Sequence, residues 1–398
     1  MRISHHFLGN SSALSSEQKP LEPIQKSATL AKASDVQAPA DVTMTKHYAL
    51  TQAQVSVPFV SNAGPMDPLS AQAKASLIER FPDLSLTLQT LSEGVDPVLL
   101  QRNRQGETIL QQLQQLTQVE GVFPEVDTSA VVRQLVLRLQ DRAEIFQGPQ
   151  FTCGSAAIQN YMTQNQPAEM VSIVGQLATR GKAILQDGSS LKLPKDTQRY
   201  LQTQSTHDFN KGVDRDTRET TDVLFQSAVM KDISLVGGDR AWKRNANTWL
   251  GEGVKALAWL TDWADYNAQN DDAGLLPKLA GNGGGDPFLI QDLLEGMTGK
   301  DFSRASMIST DHLWGDDSRF KGILQGIKRG QNEVLTLLKS PLHYVLLTDY
   351  DAESQTVTYL STGTYPQGSE QASRTEYETV KVSDFLKNCG ALYVASEG

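Results

Sequence analysis

The chain has 398 residues, 39% hydrophobic and 21% charged, with a formal net charge of −10. That length allows one to three domains, and the apolar share is enough for a packed core. The acidic balance disfavours nucleic acid or an anionic membrane surface as a partner, because phosphate binding needs clustered Lys and Arg.

Several further classes are excluded on chemistry. No apolar run approaches the ~20 residues of a membrane helix, and the best stretch, Val254 to Leu260, is far too short, so no membrane span is expected. The start, Met1-Arg2-Ile3-Ser4-His5-His6, lacks the continuous apolar segment of a cleaved secretory signal. The two cysteines, Cys153 and Cys389, make no disulfide framework. No two histidines outside the N-terminal arm have ligand spacing, so neither a metal nor a cofactor is expected. The run from Asp349 to Glu353 begins like a calcium loop but has Ser354 where glycine is needed and Leu360 where the closing glutamate would stand.

In chain order, residues 1–65 read as a disordered arm rich in Ser, Ala, Gln, Lys and Pro, with too little apolar surface to offset its ordering entropy. Residues 66–143 read as a helical region. Leu69, Ala73, Leu77 and Ile78 recur at helical spacing, as do Ile109, Leu110, Leu113 and Leu116. A third stripe, in the segment from Val131 through Ile145, takes in Val132, Leu135, Leu137, Leu139 and Ile145. This region carries no recognisable chemistry.

Residues 144–398 have a mixed pattern. A short helix follows Cys153, and another runs from Ala168 to Thr179. Ala183–Leu185 and Leu191–Leu193 flank Asp187-Gly188 as a hairpin. Helices are expected at Thr220–Met230, at Thr248–Asn267 with its core-type tryptophans, and at Pro287–Gly296, the last after the loop Gly281–Gly285. Strands are expected at Glu333–Leu338, His343–Thr348 and Thr356–Leu360, with Asp349–Gln355 as the loop between the last two. A closing helix covers Ser383–Asn388. The fold class is therefore α+β.

The candidate chemistry centres on Cys153. Thr152 is a good N-cap type, and Ala157, Ile158, Tyr161 and Met162 mark one apolar face after it. The cysteine thus stands where a helix begins, and the free N–H groups and positive dipole end there favour a thiolate. A thiol nucleophile needs a proton acceptor, and histidine suits that near neutral pH. Of the six histidines, His5, His6 and His47 fall in the arm, and His207 and His312 in polar loops. His343 opens a strand after Pro341 and is the candidate base.

Gln147-Gly148 followed by Cys153 at a helix start, with the later His343-Tyr344-Val345-Leu346-Leu347 strand, resembles the calpain and papain-like cysteine peptidases. The segment Val382–Lys387 is similar to the closing element of calpain-type cores. The resemblance covers roughly residues 144 to 394. It implies a helical subdomain with a small antiparallel sheet, and a peptidase or other amide hydrolase acting on a protein substrate. It further implies that Gln147 completes the oxyanion hole, with Gln150 as the alternative. Gly154 stands where the family usually has Trp. The family orients its histidine with Asn or Asp from the next strand, and Ser361, beside Thr362, occupies that place. Asp349 does not substitute, because six residues of strand at ~3.3 Å each put it on the order of 20 Å away. The alternatives are a catalytically degenerate papain-like binding module and a glutamine deamidase or transglutaminase-type effector. The arm's composition fits export by a signal-peptide-independent route into a host cell, with a cytoplasmic peptidase as the other expectation.

Overall fold

The computed structural model describes residues 66–141, 145–147, 152–203, 218–233, 287–306, 317–339, 342–362 and 375–396. The arm, Gln150, His207, His312, the Trp-rich segment and the Gly281–Gly285 run lie outside these residues. What is described mixes helices with antiparallel sheet, an α+β arrangement.

The chain enters through α1 (Pro68–Arg80), α2 (Ser85–Glu93), α3 (Ile109–Thr117) and α4 (Thr128–Gln140). Side chains satisfy the orphan amides at three of these starts: Asp67 accepts from the Ser70 N–H at 2.9 Å, Thr108 and Gln111 form a capping box, and Asp127 accepts from the Ser129 N–H. The helix α4 stops at Asp141, which is extended, so the stripe read through to Ile145 is too long. Ile145 is nonetheless fully buried, on a non-helical segment.

The helix α5 (Cys153–Asn165) is followed, after Gln166 alone, by α6 (Pro167–Arg180). Pro167 sits in the first turn, where its missing N–H costs nothing. Gly181 ends α6 with φ 65°, a left-handed cap that a side chain would strain. The short strands β1 (Lys182–Ile184) and β2 (Ser190–Lys192) form the expected hairpin, turned through Gly188 at φ 78°. Then come α7 (Lys195–Thr203), α8 (Thr220–Asp232) and α9 (Pro287–Thr298).

The main sheet has six strands, all antiparallel: β3 (Phe302–Ser306), β4 (Asn332–Lys339), β5 (Leu342–Asp351), β6 (Thr356–Ser361), β7 (Glu376–Lys381) and β8 (Cys389–Ser396), in the order β3-β8-β4-β5-β6-β7. The strand β5 runs on to Asp351, so the loop expected at Asp349–Gln355 shrinks to a tight turn carrying Gln355 at φ 53°. Two helices are inserted, α10 (Asp317–Lys328) and α11 (Val382–Asn388).

Alternation sends successive side chains to opposite faces. Leu335, Tyr344, Leu346, Leu360 and Tyr393 join one buried cluster with Leu77 of α1, Leu113 of α3, Leu135 of α4, Ile158 of α5, Leu177 of α6 and Phe225 of α8. Val334, Val345, Leu347, Val357 and Leu392 join a second, with Phe320 and Leu324 of α10 and Phe385 of α11. Each fully buried Leu or Phe contributes ~1.5–3 kcal/mol. The first cluster joins the N-terminal helices to the sheet in one continuous core, which fixes α5 against β5.

Candidate active site

The first residue of α5 is Cys153, one residue past the N-cap Thr152. The Thr152 side chain makes no cap hydrogen bond to the helix. Its hydroxyl lies 3.3 Å from the Gln147 carbonyl oxygen and 3.2 Å from Gln226 Oε1. The hydroxyl therefore takes none of the first amides of α5. The N–H groups of Tyr344, of Gly154 and of Cys153 itself face the thiol and favour its charged form. Burial pushes the thiol's pKa up, and these three donors pull the other way without cancelling it.

The Tyr344 N–H belongs to the peptide that joins His343 to Tyr344. His343 shares the alternation of Val345 and Leu347, opposite to Tyr344. Its ring lies beside β6, with Nε2 3.3 Å from Ser361 Oγ. Burial lowers the imidazole from 6.5 to about 4, and the charge of Glu378 on β7 acts weakly against that. Glu378 is held by the Tyr359 hydroxyl at 2.9 Å. At neutral pH the resting pair is therefore a thiol and a neutral imidazole.

Gln147 is buried, and its Oε1 accepts from the Thr362 hydroxyl at 2.6 Å. That contact decides which end of the amide is the acceptor and turns the NH2 end the other way. Thr362 follows Ser361, so β6 supplies consecutive hydroxyls, one to the imidazole and one to the glutamine. Thus β5 and the end of β6 bring His343 to Ser361, the residue after β6 reaches Gln147, and the Cys153 sulfur meets the peptide that follows His343. Asp349 lies further along β5, beside Thr358 of β6.

The surroundings hold what no local pattern displayed. Asp222 of α8, with no exposed surface, accepts from Arg138 Nε at 3.0 Å and Nη2 at 2.8 Å. It also accepts from Gln159 Nε2 at 2.8 Å and from the Phe146 N–H at 3.2 Å. One turn on, Gln226 donates to the Phe146 carbonyl at 3.0 Å and to Gln159 Oε1 at 2.8 Å. A buried polar lattice thus runs from α4 through α8 and α5 to the segment carrying Gln147. No local sequence pattern marks Arg138 or Asp222.

Among the described residues no group of three or more His, Cys, Asp or Glu could hold a metal ion, and no helix is long and apolar enough to cross a membrane. An open polar groove of about 340 Å³, between α3 and α6 and lined by Gln112, Gln115, Ser172 and Gln176 among others, includes none of the four candidate residues. Searches of protein-family models, of curated proteins and of solved structures returned no match.

Proposed function

We propose that this chain is a cysteine hydrolase of papain-like type that cleaves amide bonds in a protein substrate. The observation that carries the reading is the Cys153 sulfur, at the start of α5, facing the N–H of the peptide that follows His343. That places the candidate nucleophile and a set of N–H donors one residue along the chain from the candidate base.

In the proposed reaction the sulfur bonds to the substrate carbonyl carbon while the thiol proton passes to His343. The carbonyl oxygen takes up the negative charge, met by the Cys153 N–H and the Gln147 amide. Collapse breaks the C–N bond, and the leaving amine takes the proton from His343. Water then attacks the thioester, the C–S bond breaks, and the sulfur regains its proton. Cleavage of a main-chain amide makes a peptidase, and cleavage of a glutamine side-chain amide makes a deamidase. The Ser361 hydroxyl can hold the ring but stabilises an imidazolium less than a carboxylate does.

The second reading is a papain-like binding module. It draws on the burial of both groups, Cys153 being 7% and His343 4% exposed. Labelling with p-nitrophenyl acetate separates the two. The hydrolase reading expects a burst of nitrophenolate that disappears in Cys153→Ser and in His343→Ala, both still folded. Equal, slow acylation of Cys153 and Cys389 would leave the binding module as the better account.

A further inference from the structure

The geometry points to Asp222 and Gln226 as positioning residues for Gln147, an inference that rests on the hydrolase reading above. They stand four apart on α8, which puts both side chains on one face. Between them they grip both backbone groups of one residue: Asp222 Oδ2 accepts the Phe146 N–H, and Gln226 Nε2 donates to the Phe146 carbonyl. Phe146 immediately precedes Gln147. The clamp sets the direction in which the chain leaves Phe146, and so where the Gln147 side chain begins.

The same two residues reach the nucleophile's helix. Gln226 Oε1 lies 3.2 Å from the hydroxyl of Thr152, the residue before Cys153. Gln159, on α5, donates to Asp222 and accepts from Gln226. The glutamine and the cysteine helix are therefore referenced to one pair of side chains. Arg138 of α4, 1% exposed, holds the Asp222 carboxylate through two of its nitrogens. Buried polar groups with every partner in place specify one arrangement, since any shift leaves a donor or acceptor unsatisfied. None of these residues is placed against a reacting atom. Their effect is on the direction of the Gln147 amide relative to the Cys153 sulfur.

Two reagents separate positioning from mere stability. Acylation by p-nitrophenyl acetate forms a bond from sulfur to the acetyl carbon and expels p-nitrophenolate, passing through an oxyanion. Alkylation by iodoacetamide forms a bond from sulfur to the methylene carbon and expels iodide, with no oxyanion. In folded full-length Asp222→Asn and Gln226→Met, acylation of Cys153 is expected to fall on the order of 100-fold, as for a misplaced donor. The iodoacetamide rate should match the wild-type protein.

Should Asp222→Asn fail to fold, Gln226→Met, which keeps the volume and removes the amide, decides alone. Unchanged acylation in the folded variants, or equal loss with both reagents, overturns the positioning role while the hydrolase reading stands. If the wild-type protein shows no acylation above Cys153→Ser, the hydrolase reading falls and this inference with it.

Discussion

His343 Nε2 and Ser361 Oγ lie 3.3 Å apart, across the start of β5 and the end of β6. The hydroxyl stands where a stronger acceptor would stabilise a charged ring better. In Ser361→Ala the ring loses a partner worth ~1 kcal/mol, and turnover of p-nitrophenyl acetate should drop about fivefold. Ser361→Asn, which offers a carbonyl oxygen at the same place, should restore or raise it. Identical rates in all three proteins would show that the contact does not orient the imidazole.

The buried histidine also sets an acid limit on stability. Its folded pKa of about 4 lies below the ordinary 6.5, so between those values the unfolded chain binds more protons than the native one. Its contribution is full above pH 6.5 and is lost as pH falls towards 4, by ~3 kcal/mol at most given ~1.4 kcal/mol per unit. Urea midpoints measured across that window should fall on acidification, and His343→Gln should remove part of the slope. A variant whose slope equals that of the wild-type protein would contradict the assignment.

The two thiols make a matched pair for a reactivity test. Burial raises both, Cys153 against three opposing amide donors and Cys389 to about 12. Neither is a thiolate at neutral pH, so iodoacetamide should modify Cys153 at a rate that climbs from neutral to alkaline pH. Cys389, in the second cluster with no exposed surface, should react only after unfolding. A rate for Cys153 that is already flat below neutrality would mean a preformed thiolate–imidazolium pair instead of the neutral one.

Periodicity made α1, α3, α5, α6 and α8 legible, because each presents a local pattern or a cap type at its start. The strand β8 escaped notice for a physical reason. It is central, between β3 and β4, and buried on both faces, so Leu392, Tyr393 and Val394 show no alternation. The overlong α4 stripe came from Ile145, whose burial arises from tertiary packing. In the candidate site, the helix that starts at Cys153 and the strand that carries His343 were legible from their local settings. The clamp was not, since Arg138 and Asp222 are 84 residues apart and neither has a motif to mark it.

That pair yields the largest stability prediction. Arg138 and Asp222 are 1% and 0% exposed at their side chains, and Glu219 also reaches the guanidinium at 2.9 Å. Removing one member of a buried pair leaves the other charged and unsatisfied, so Arg138→Met should cost ~3–5 kcal/mol in urea unfolding. An isolated pair replaced by apolar residues on both sides is often neutral. Here Asp222 also serves the Phe146 N–H and Gln159, so Arg138→Met combined with Asp222→Leu strands two more donors. The double variant should therefore recover little of the loss. Full recovery would show that the carboxylate's other two hydrogen bonds contribute nothing, and with them the clamp on Phe146.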